Sequence, residues 1–471
     1  MWNNGRLTNA TAYFVPPHQA STAFEKASKV CRNVYFSRMW TVQEIALSKK
    51  CVVVWGSESL EWRIIGNAVQ LIFDYEAESD QDTRSLDAFI AHWFAWCHVT
   101  SPGVSDEGWD LEDFLQLVRS KQATDPRDKI YAIHSLMPHF SVTLPSPDYT
   151  NSISRVYTDA TIAVMKQTQS IELLYAITGD TRRSDLPSWV PDWSDTKAVF
   201  TMYHEQYNAS STSDKMAQFS SEQHEIIIRG LSISTVARKG IHVPTTELQD
   251  ENGNWTDRKR DELPQVVKAS VLFSTWLGLM RKSLPELDCA SMREVLFKVI
   301  KSRQSYNDDE DLWSTLEFKS EVWTRWYDII SASTSQSLES YVPPDAEIAN
   351  QLESLLPLES DPMMLPKLKA LISDHSDAKE AKDLQQNLLD FVHNQALFIT
   401  TDQRVGMGYH GLNMGDEVLI LEGTQMPFLA RSLPDREGGK YALVTPVYIS
   451  GVMDGELWPV DEEQLKTFTF V

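Results

Sequence analysis

The chain has 471 residues, a formal net charge of −23 at pH 7 and 42% hydrophobic residues. This length is sufficient for two or three hydrophobic cores, and the composition excludes wholesale disorder, a collagen-like repeat and a coiled-coil rod. Because acidic residues are in such excess, binding to nucleic acid or to anionic lipid is electrostatically unfavourable.

The cysteines and the apolar runs point to a reducing compartment. The four cysteines lie far apart and form no Cys-x-x-Cys pair, so we expect neither a zinc site nor a disulfide framework. No secretory signal is expected, because the first five residues carry no basic side chain and no apolar run follows them. No stretch approaches the ~18 apolar residues of a membrane span. We therefore expect a cytoplasmic protein with no metal, no cofactor, no membrane span and no nucleic-acid partner.

The first 195 residues predict helices separated by short extended segments. Apolar residues recur at helical spacing over 37–48, and the β-branched run 51–55 predicts a strand that stops at Gly56. Amphipathic helices are predicted from Leu111, after the Asp125-Pro126 pair and from Ile153 onward. Residues 186–193 contain two prolines and predict an ordered loop.

The pattern changes after about residue 200. Residues 225–231 resemble a strand, and helices return afterwards, one of them with a predicted capping box formed by Ser291 and Glu294. Residues 339–390 are acidic and predict the solvated faces of helices. The last 75 or so residues contain short alternating runs separated by glycines, which predict a small β-sheet or barrel.

Residues 406–411 have the Gly-x-Gly-x-x-Gly spacing of a dinucleotide-binding loop. That motif binds a pyrophosphate only where a helix N-terminus follows it, and no helical pattern follows here. We therefore interpret these glycines as residues of tight β-turns.

Glu44 follows Gln43 inside the apolar helical pattern around Trp40. A carboxylate buried there needs an ion pair or hydrogen bonds, and Arg38 and Arg127 are the candidate partners. A structural ion pair and a catalytic carboxylate are both open interpretations of Glu44.

The string 125–129 also has two interpretations. Acidic residues at an N-cap and in the first turn complement the helix dipole, which gives Asp125 and Asp128 a structural role. The alternative is a contact with an anion or a protein partner through Arg127 and Lys129.

Several of these strings, in this order, resemble the heterokaryon-incompatibility (HET) domain proteins of filamentous fungi. The resemblance is carried by residues 35–44, 123–132, 147–149, 186–193, 408–416 and 451–456. Glu44 is the matched acid that the resemblance nominates for catalysis. The other matched residues are Arg38, Trp40, Gln43, Asp125, Arg127, Asp128, Tyr131, Trp189, Asp192, Trp193, Gly411, Asp416, Gly455 and Glu456.

The resemblance implies an α+β chain that is mainly α. Family members begin with a Leu-Ser-Tyr-x-Trp-Gly strand and a Cys-Ile-Asn-Gln segment, and neither string occurs here. We therefore expect residues 1–55 to be the C-terminal remnant of a TIR-like α/β HET domain. A helical region at 56–195 with the family motifs, a variable and mostly helical region at 196–395 and a β-rich domain at 396–471 are expected to follow.

The resemblance also implies a role in fungal non-self recognition and cell-death signalling. The leading hypothesis is action through other incompatibility or signalling proteins, with effector activity impaired by the missing segments, which argues against an enzyme. One alternative is a TIR-like NAD-cleaving enzyme whose site includes Glu44 and Arg38. The other is an accessory product of a fungal gene cluster with no role in incompatibility.

Overall fold

The computed structural model describes residues 2–3, 6–7, 30–31, 33–76, 84–100, 111–177, 182–195, 206–211, 217–220, 225–242, 262–302, 392, 394–434, 439–459 and 461–471. The chain divides into two compact units. Unit 1 comprises residues 1–176, 181–199 and 220–224, and unit 2 comprises residues 177–180, 200–219 and 225–471.

The described part of unit 1 combines helices of 4 to 17 residues with two small antiparallel hairpins. Its strands are β1 (Trp2–Asn3), β2 (Arg6–Leu7), β3 (Val52–Trp55) and β4 (Glu58–Glu61). Its helices are α1 (Val34–Ser37), α2 (Trp40–Ala46), α3 (Trp62–Glu76), α4 (Arg84–Thr100), α5 (Leu111–Arg119), α6 (Asp128–Tyr131) and α7 (Ile153–Thr168). Single 3-10 turns lie at Met137–Phe140 and Glu172–Ala176.

The helix predicted over 37–48 is interrupted near its start. Arg38 has extended backbone angles (φ −81°, ψ 136°) and separates α1 from α2. The reason is a tertiary contact: Met39 N donates to Gln122 O (2.9 Å), and Gln122 N donates to Ser37 O (2.6 Å). Local periodicity could not reveal this bridge, since its two sides are more than 80 residues apart.

The predicted helices α5 and α7 are confirmed. The apolar residues that they bury within unit 1 recur at helical spacing: Leu111, Phe114, Leu115 and Val118 on α5, and Val156, Tyr157, Ala160 and Val164 on α7. The helix predicted to start directly after the N-cap Asp125 starts later: α6 begins at Asp128, with Arg127 at its N-cap. The Asp125 carboxylate accepts the backbone N–H of Arg127 in the turn that precedes the helix (3.0 Å).

Unit 2 carries a large, mostly antiparallel sheet. Its strands are β5 (Gln218–Phe219), β6 (Ile226–Lys239), β7 (Gln395–Thr400), β8 (Val405–Tyr409), β9 (Glu417–Leu421), β10 (Phe428–Leu433), β11 (Lys440–Ile449) and β12 (Lys466–Phe470). The helices α8 (Glu262–Ser283) and α9 (Cys289–Lys301) lie between β6 and β7 in sequence. A 3-10 turn at Glu462–Gln464 precedes β12.

Six of these strands form a closed ring. The pairings run β6–β9–β10–β11–β8–β7 and return to β6, and every one of them is antiparallel. The strand β6 closes the ring because its middle pairs with β9 while its last residues pair with β7. The predicted C-terminal barrel is therefore present, and it includes a strand from residues 226–239 that is longer than the sequence pattern indicated.

Side chains fill the interior of this barrel. Val236, Phe398, Ile420, Leu429 and Val447 are among its buried apolar residues. The observed fold class is therefore mixed helix and sheet, with an antiparallel sheet at the C-terminal end of the chain.

The glycines at 406 and 408 do not form turns, contrary to the sequence interpretation. Both lie in the middle of β8. A Cβ at Gly406 would come within 2.3 Å of the Phe398 ring, and one at Gly408 within 2.5 Å of Val447. Glycine is required there because neighbouring strands place bulky side chains directly against the backbone.

Two further predictions concern the middle of the chain. The capping box at Ser291 is wrong: α9 begins at Cys289, and the Asp288 carboxylate caps it by accepting the N–H of Ser291 (2.7 Å). The helices predicted within 339–390 lie outside the described residues.

Candidate functional site

Three of the family strings meet in unit 1 at the Asp128 carboxylate. Trp40 Nε1 donates to Asp128 Oδ2 (3.0 Å), and Tyr149 OH donates to Asp128 Oδ1 (2.5 Å). The hydrogen bond to Asp128 is the main reason why the pKa of Tyr149 rises to about 12. We call Trp40, Asp125, Arg127, Asp128 and Tyr149 the motif cluster.

Arg127 holds the other side of the motif cluster. Its guanidinium forms two side-chain hydrogen bonds with Asp125 (2.9 and 2.7 Å) and donates to the carbonyl oxygens of Tyr149 and Asn151. It also lies 5.3 Å from the centre of the Tyr149 ring, within cation–π range. The Arg127 pairing lowers the pKa of Asp125. Arg127 thus has internal partners in the structure, which accords with its structural interpretation, while the anion or partner contact stays a prediction.

Tyr131 and Tyr157 connect the 125–128 turn to neighbouring segments by hydrogen bonds. Tyr131 OH donates to Asp148 O (2.7 Å), and Tyr157 OH donates to Pro126 O (2.7 Å). The turn that carries Asp125 to Asp128 is therefore fixed from both sides.

Buried lysines lie beneath the motif cluster. Lys129 Nζ donates to the carbonyl oxygens of Arg119 (2.8 Å) and Lys121. Lys121 Nζ donates to Phe36 O (3.0 Å) and lies 3.4 Å from His92 Nδ1, while Thr41 Oγ1 lies 2.8 Å from His92 Nε2. A buried polar network therefore connects α2, α4 and the 119–129 segment, and Lys129 is not available to an external anion.

Burial lowers the pKa of Lys129 to about 8, with a smaller effect from Arg119. Between about pH 8 and 10.5, the ordinary pKa of lysine, the unfolded chain binds more protons at this position than the folded chain. Stability therefore increases with pH in this window. We expect the free energy of unfolding to rise more steeply with pH in the wild type than in Lys129→Met, as measured by urea denaturation from pH 7.5 to 10.5. Parallel curves would show that Lys129 keeps an ordinary pKa.

The string 186–193 is an ordered loop, as predicted, and buried polar groups hold it. The Asp192 carboxylate accepts from the backbone N–H groups of Arg183 and Ser194 (both 2.9 Å). Arg119 Nε donates to Asp192 O (3.0 Å), and the Arg182 guanidinium donates to three carbonyls of the loop. Burial lowers the pKa of Arg182 to about 10.

Trp189 and Trp193 in this loop are almost completely buried in the core of unit 1. Their aromatic side chains account for the ordering of a segment whose prolines exclude regular secondary structure. Arg119, Lys121 and Arg182 were not predicted, since a cation on an amphipathic pattern has the same local signature whether it faces solvent or a loop carbonyl.

Glu44 lies on the exposed face of α2. The buried face comprises Thr41, Val42, Ile45 and Ala46, so the expected burial of Glu44 is wrong. Its described hydrogen bond is with Tyr35 OH (3.2 Å), whereas Arg127 binds Asp125. The predicted ion pair with Arg38 or Arg127 is therefore replaced by a tyrosine contact.

The neighbours of Glu44 are also accessible. Arg38 is exposed and Gln43 is half-buried. Burial, followed by the charge of Glu44, raises the pKa of Tyr35 to about 12, so its hydroxyl remains protonated at neutral pH. A catalytic role of Glu44 stays a prediction.

In unit 2 the family residues stabilise turns of the barrel. The Asp416 carboxylate is 2% exposed and accepts from Asn413 N (2.7 Å) and from Arg431 Nε and Nη2 (2.8 and 2.9 Å). Arg431 Nη2 also donates to Gly411 O (3.1 Å). Gly411 and Asp416 thus belong to one hydrogen-bonded turn.

The second turn involves Gly455 and Glu456. Gly455 has a φ of +82°, and a Cβ there would lie 2.3 Å from Ser211 Oγ. Glu456 accepts the backbone N–H of Asp454 through its carboxylate (2.8 Å). Both residues therefore shape the turn after β11.

The described residues include two buried cysteines, Cys31 and Cys97, and no metal-ligating cluster. No group of three or more His, Cys, Asp or Glu residues there is arranged to hold a metal ion. Burial raises the pKa of Cys31 and of Cys97 to about 12, which disfavours the nucleophilic thiolate. Among the described helices, none has the length and apolar character needed to cross a membrane.

Unit 1 is thus a mainly helical unit held together by the motif cluster, and unit 2 contains a closed β-barrel. Residues 352–471 match the family described as the Het-6 beta-barrel domain. This segment contains β7 to β12. The strand β6, which closes the ring, lies outside the matched segment.

The chain is also similar to heterokaryon incompatibility protein 6, OR allele, of Neurospora crassa. The two are 22% identical over 480 residues, which cover 91% of this chain and 65% of that protein. No solved structure matches the chain. The comparisons thus show a Het-6 beta-barrel segment at 352–471 and a similarity of the chain to a heterokaryon incompatibility protein, in line with the resemblance of its motif strings.

Proposed function

We propose that this chain acts in fungal non-self recognition and cell-death signalling by binding other incompatibility or signalling proteins in the cytoplasm. The similarity to an incompatibility protein of Neurospora crassa supports the biological role. The proposal includes the expectation that residues 1–55 belong to a TIR-like HET domain.

One observation favours interaction over catalysis. The polar groups of Trp40, Asp125, Arg127 and Asp128 are engaged in hydrogen bonds within unit 1, so the motif cluster serves as a framework. The motif cluster therefore fixes the position of the elements that carry its residues. One of these elements is the helix α2, which begins at Trp40.

The supported elements display an accessible surface of mixed character. Val34 on α1 is 70% exposed, and Leu47, just after α2, is 41% exposed. Tyr35 on α1 and Glu44 on α2 are exposed too, as is Arg38 between the two helices. We call these five residues the α1–α2 surface. Apolar and aromatic side chains beside charges of both signs are typical of a surface that contacts protein.

Expression in a fungal host tests this proposal. The wild-type chain is expected to arrest growth while cellular NAD stays constant. Arg38→Glu reverses a charge on the α1–α2 surface without removing a described side-chain bond, and it is expected to relieve the arrest. The matched control is Arg63→Glu, an exposed arginine on α3, which is expected to arrest growth as the wild type does.

Other outcomes contradict the proposal in different ways. NAD loss that Glu44→Gln abolishes would establish the NAD-cleaving alternative. Equal effects of Arg38→Glu and Arg63→Glu on growth would show that the α1–α2 surface is not the binding surface. Normal growth and normal NAD in all strains would support the accessory gene-cluster alternative. Folding of each variant is checked by circular dichroism.

A further inference from the structure

A completely buried histidine of α4 contacts both α2 and a buried lysine. The side chains of His92 and Thr41 are 0% exposed, and Lys121 is 1% exposed. His92 Nε2 lies 2.8 Å from Thr41 Oγ1, and its Nδ1 lies 3.4 Å from Lys121 Nζ. The ring also packs edge to face against Phe36 of α1. One imidazole therefore connects α4 to α1, to α2 and to the segment that carries Lys121.

The hydrogen-bond partners assign the protonation state of this imidazole. The hydroxyl of Thr41 has a single hydrogen, and Oγ1 lies 2.7 Å from Arg38 O and 3.0 Å from Tyr35 O. Because that hydrogen is directed to a backbone carbonyl, Oγ1 accepts the Nε2–H of His92. The ammonium of Lys121 can only donate, so Nδ1 is the acceptor and carries no hydrogen. His92 is therefore the neutral imidazole with its hydrogen on Nε2.

Cations surround the Nδ1 side of the ring. Lys121 Nζ faces Nδ1 and also donates to Phe36 O (3.0 Å). Two further buried cations lie close to Lys121 in sequence: Arg119 donates to the carbonyls of residues 176 and 192, and Lys129 Nζ donates to Lys121 O. A second positive charge on His92 would thus be added to a buried region that is already cationic.

The other elements that pack on the ring face it with uncharged groups. α1 presents the Phe36 ring, and α2 presents the Thr41 hydroxyl. The charged residues of this segment, Arg38 and Glu44, are exposed to solvent instead. Protonation of Nδ1 would therefore replace a hydrogen bond by the repulsion of two buried cations, which is strongly unfavourable in the core.

We propose that His92 is a pH-sensitive switch that holds α1 and α2 on α4 when it is neutral and releases them when it is protonated. In the released state the ring meets water and binds a proton as an ordinary histidine does, with a pKa of about 6.5. The switch would thus regulate whether the α1–α2 surface is presented. This consequence for partner binding rests on the proposed function, whereas the release itself does not.

The size of the effect follows from proton linkage. The held state keeps His92 neutral, and the released state binds a proton below about pH 6.5. The equilibrium constant for release therefore increases as the pH falls, by about tenfold between pH 7.5 and 5.5.

Hydrogen exchange of the full chain, followed by mass spectrometry at pH 7.5 and 5.5, tests this inference. Protection factors are compared after the pH dependence of intrinsic exchange is divided out. The wild type is expected to lose about tenfold protection over residues 42–47 at pH 5.5, while β9 in unit 2 keeps its protection. His92→Gln retains an N–H near the Nε2 position but does not titrate, so its protection is expected to change less than twofold.

The matched control is His98→Gln. His98 is a half-buried histidine on the same helix, and this variant is expected to lose protection at pH 5.5 as the wild type does. Lys121→Met is a second test, independent of whether His92→Gln folds. Without the opposing ammonium the held state tolerates a proton on Nδ1, so the acid-induced loss is expected to be smaller than in the wild type.

Three results would overturn the inference. They are wild-type protection over 42–47 that does not change with pH, a loss in His92→Gln equal to that of the wild type, and an undiminished loss in Lys121→Met. The exchange measurement needs no binding partner. Its outcome is therefore separate from the growth assay with Arg38→Glu, which tests the proposed function.

Discussion

Replacing Arg431 with methionine is expected to lower the free energy of unfolding of the barrel by about 3 kcal/mol. The guanidinium binds both oxygens of Asp416, a carboxylate that is 2% exposed. Removing only the cation leaves a buried charge without its counterion, which costs about 3–5 kcal/mol in proteins. The lower end applies because the Arg431 side chain is itself 39% exposed.

Arg404 gives a matched control in the same barrel. It pairs with Asp402 at 2.8 Å, but these side chains are 29% and 39% exposed. Because solvent screens such a pair, Arg404→Met is expected to cost less than about 1 kcal/mol. Denaturant unfolding of the two variants checks the difference, and equal losses would show that burial of Asp416 does not determine the strength of its pairing.

The barrel shows how far a family domain and a structural domain coincide. The matched family segment begins at residue 352, yet the ring closes through β6, which ends at Lys239. Lys239 Nζ also donates to Leu412 O (2.8 Å) across this closure. We therefore propose that a fragment limited to residues 396–471, the expected domain, lacks one of the six strands of the ring.

The sequence predicted elements whose signals are local. The strand at 51–55, the stripes of α5 and α7 and the glycine-punctuated strands near the C-terminus all follow from periodicity and turn chemistry. The same reasoning failed at Arg38, where a backbone bridge to Gln122 breaks the helix. Contacts between distant segments override local pattern at such points.

The candidate site also shows that local sequence pattern does not reveal contacts between distant segments. The family strings identified Trp40 and Asp128, but their spacing could not show that one donates to the other. Glu44 was expected to be buried because apolar residues surround it in sequence. A helix has two faces, however, and the buried face of α2 passes through Val42 and Ile45 instead.

We expect the second large loss of stability when the Asp128 carboxylate is removed. Asp128→Ala deprives Trp40 Nε1 and Tyr149 OH of their shared acceptor. Hydrogen bonds to a charged group contribute about 1.5–3 kcal/mol each, and the bond to Tyr149 is worth less because that residue is 50% exposed. The expected loss in the free energy of unfolding is therefore about 2 kcal/mol.

The central claim is that the motif cluster is the framework of unit 1 and that Glu44 belongs to its surface. Urea unfolding of Asp128→Ala beside Glu44→Ala, both in the full chain, tests this claim most directly. The account predicts a loss of about 2 kcal/mol for Asp128→Ala and a change within about 0.5 kcal/mol for Glu44→Ala. A destabilisation by Glu44→Ala that equals or exceeds that of Asp128→Ala would contradict it.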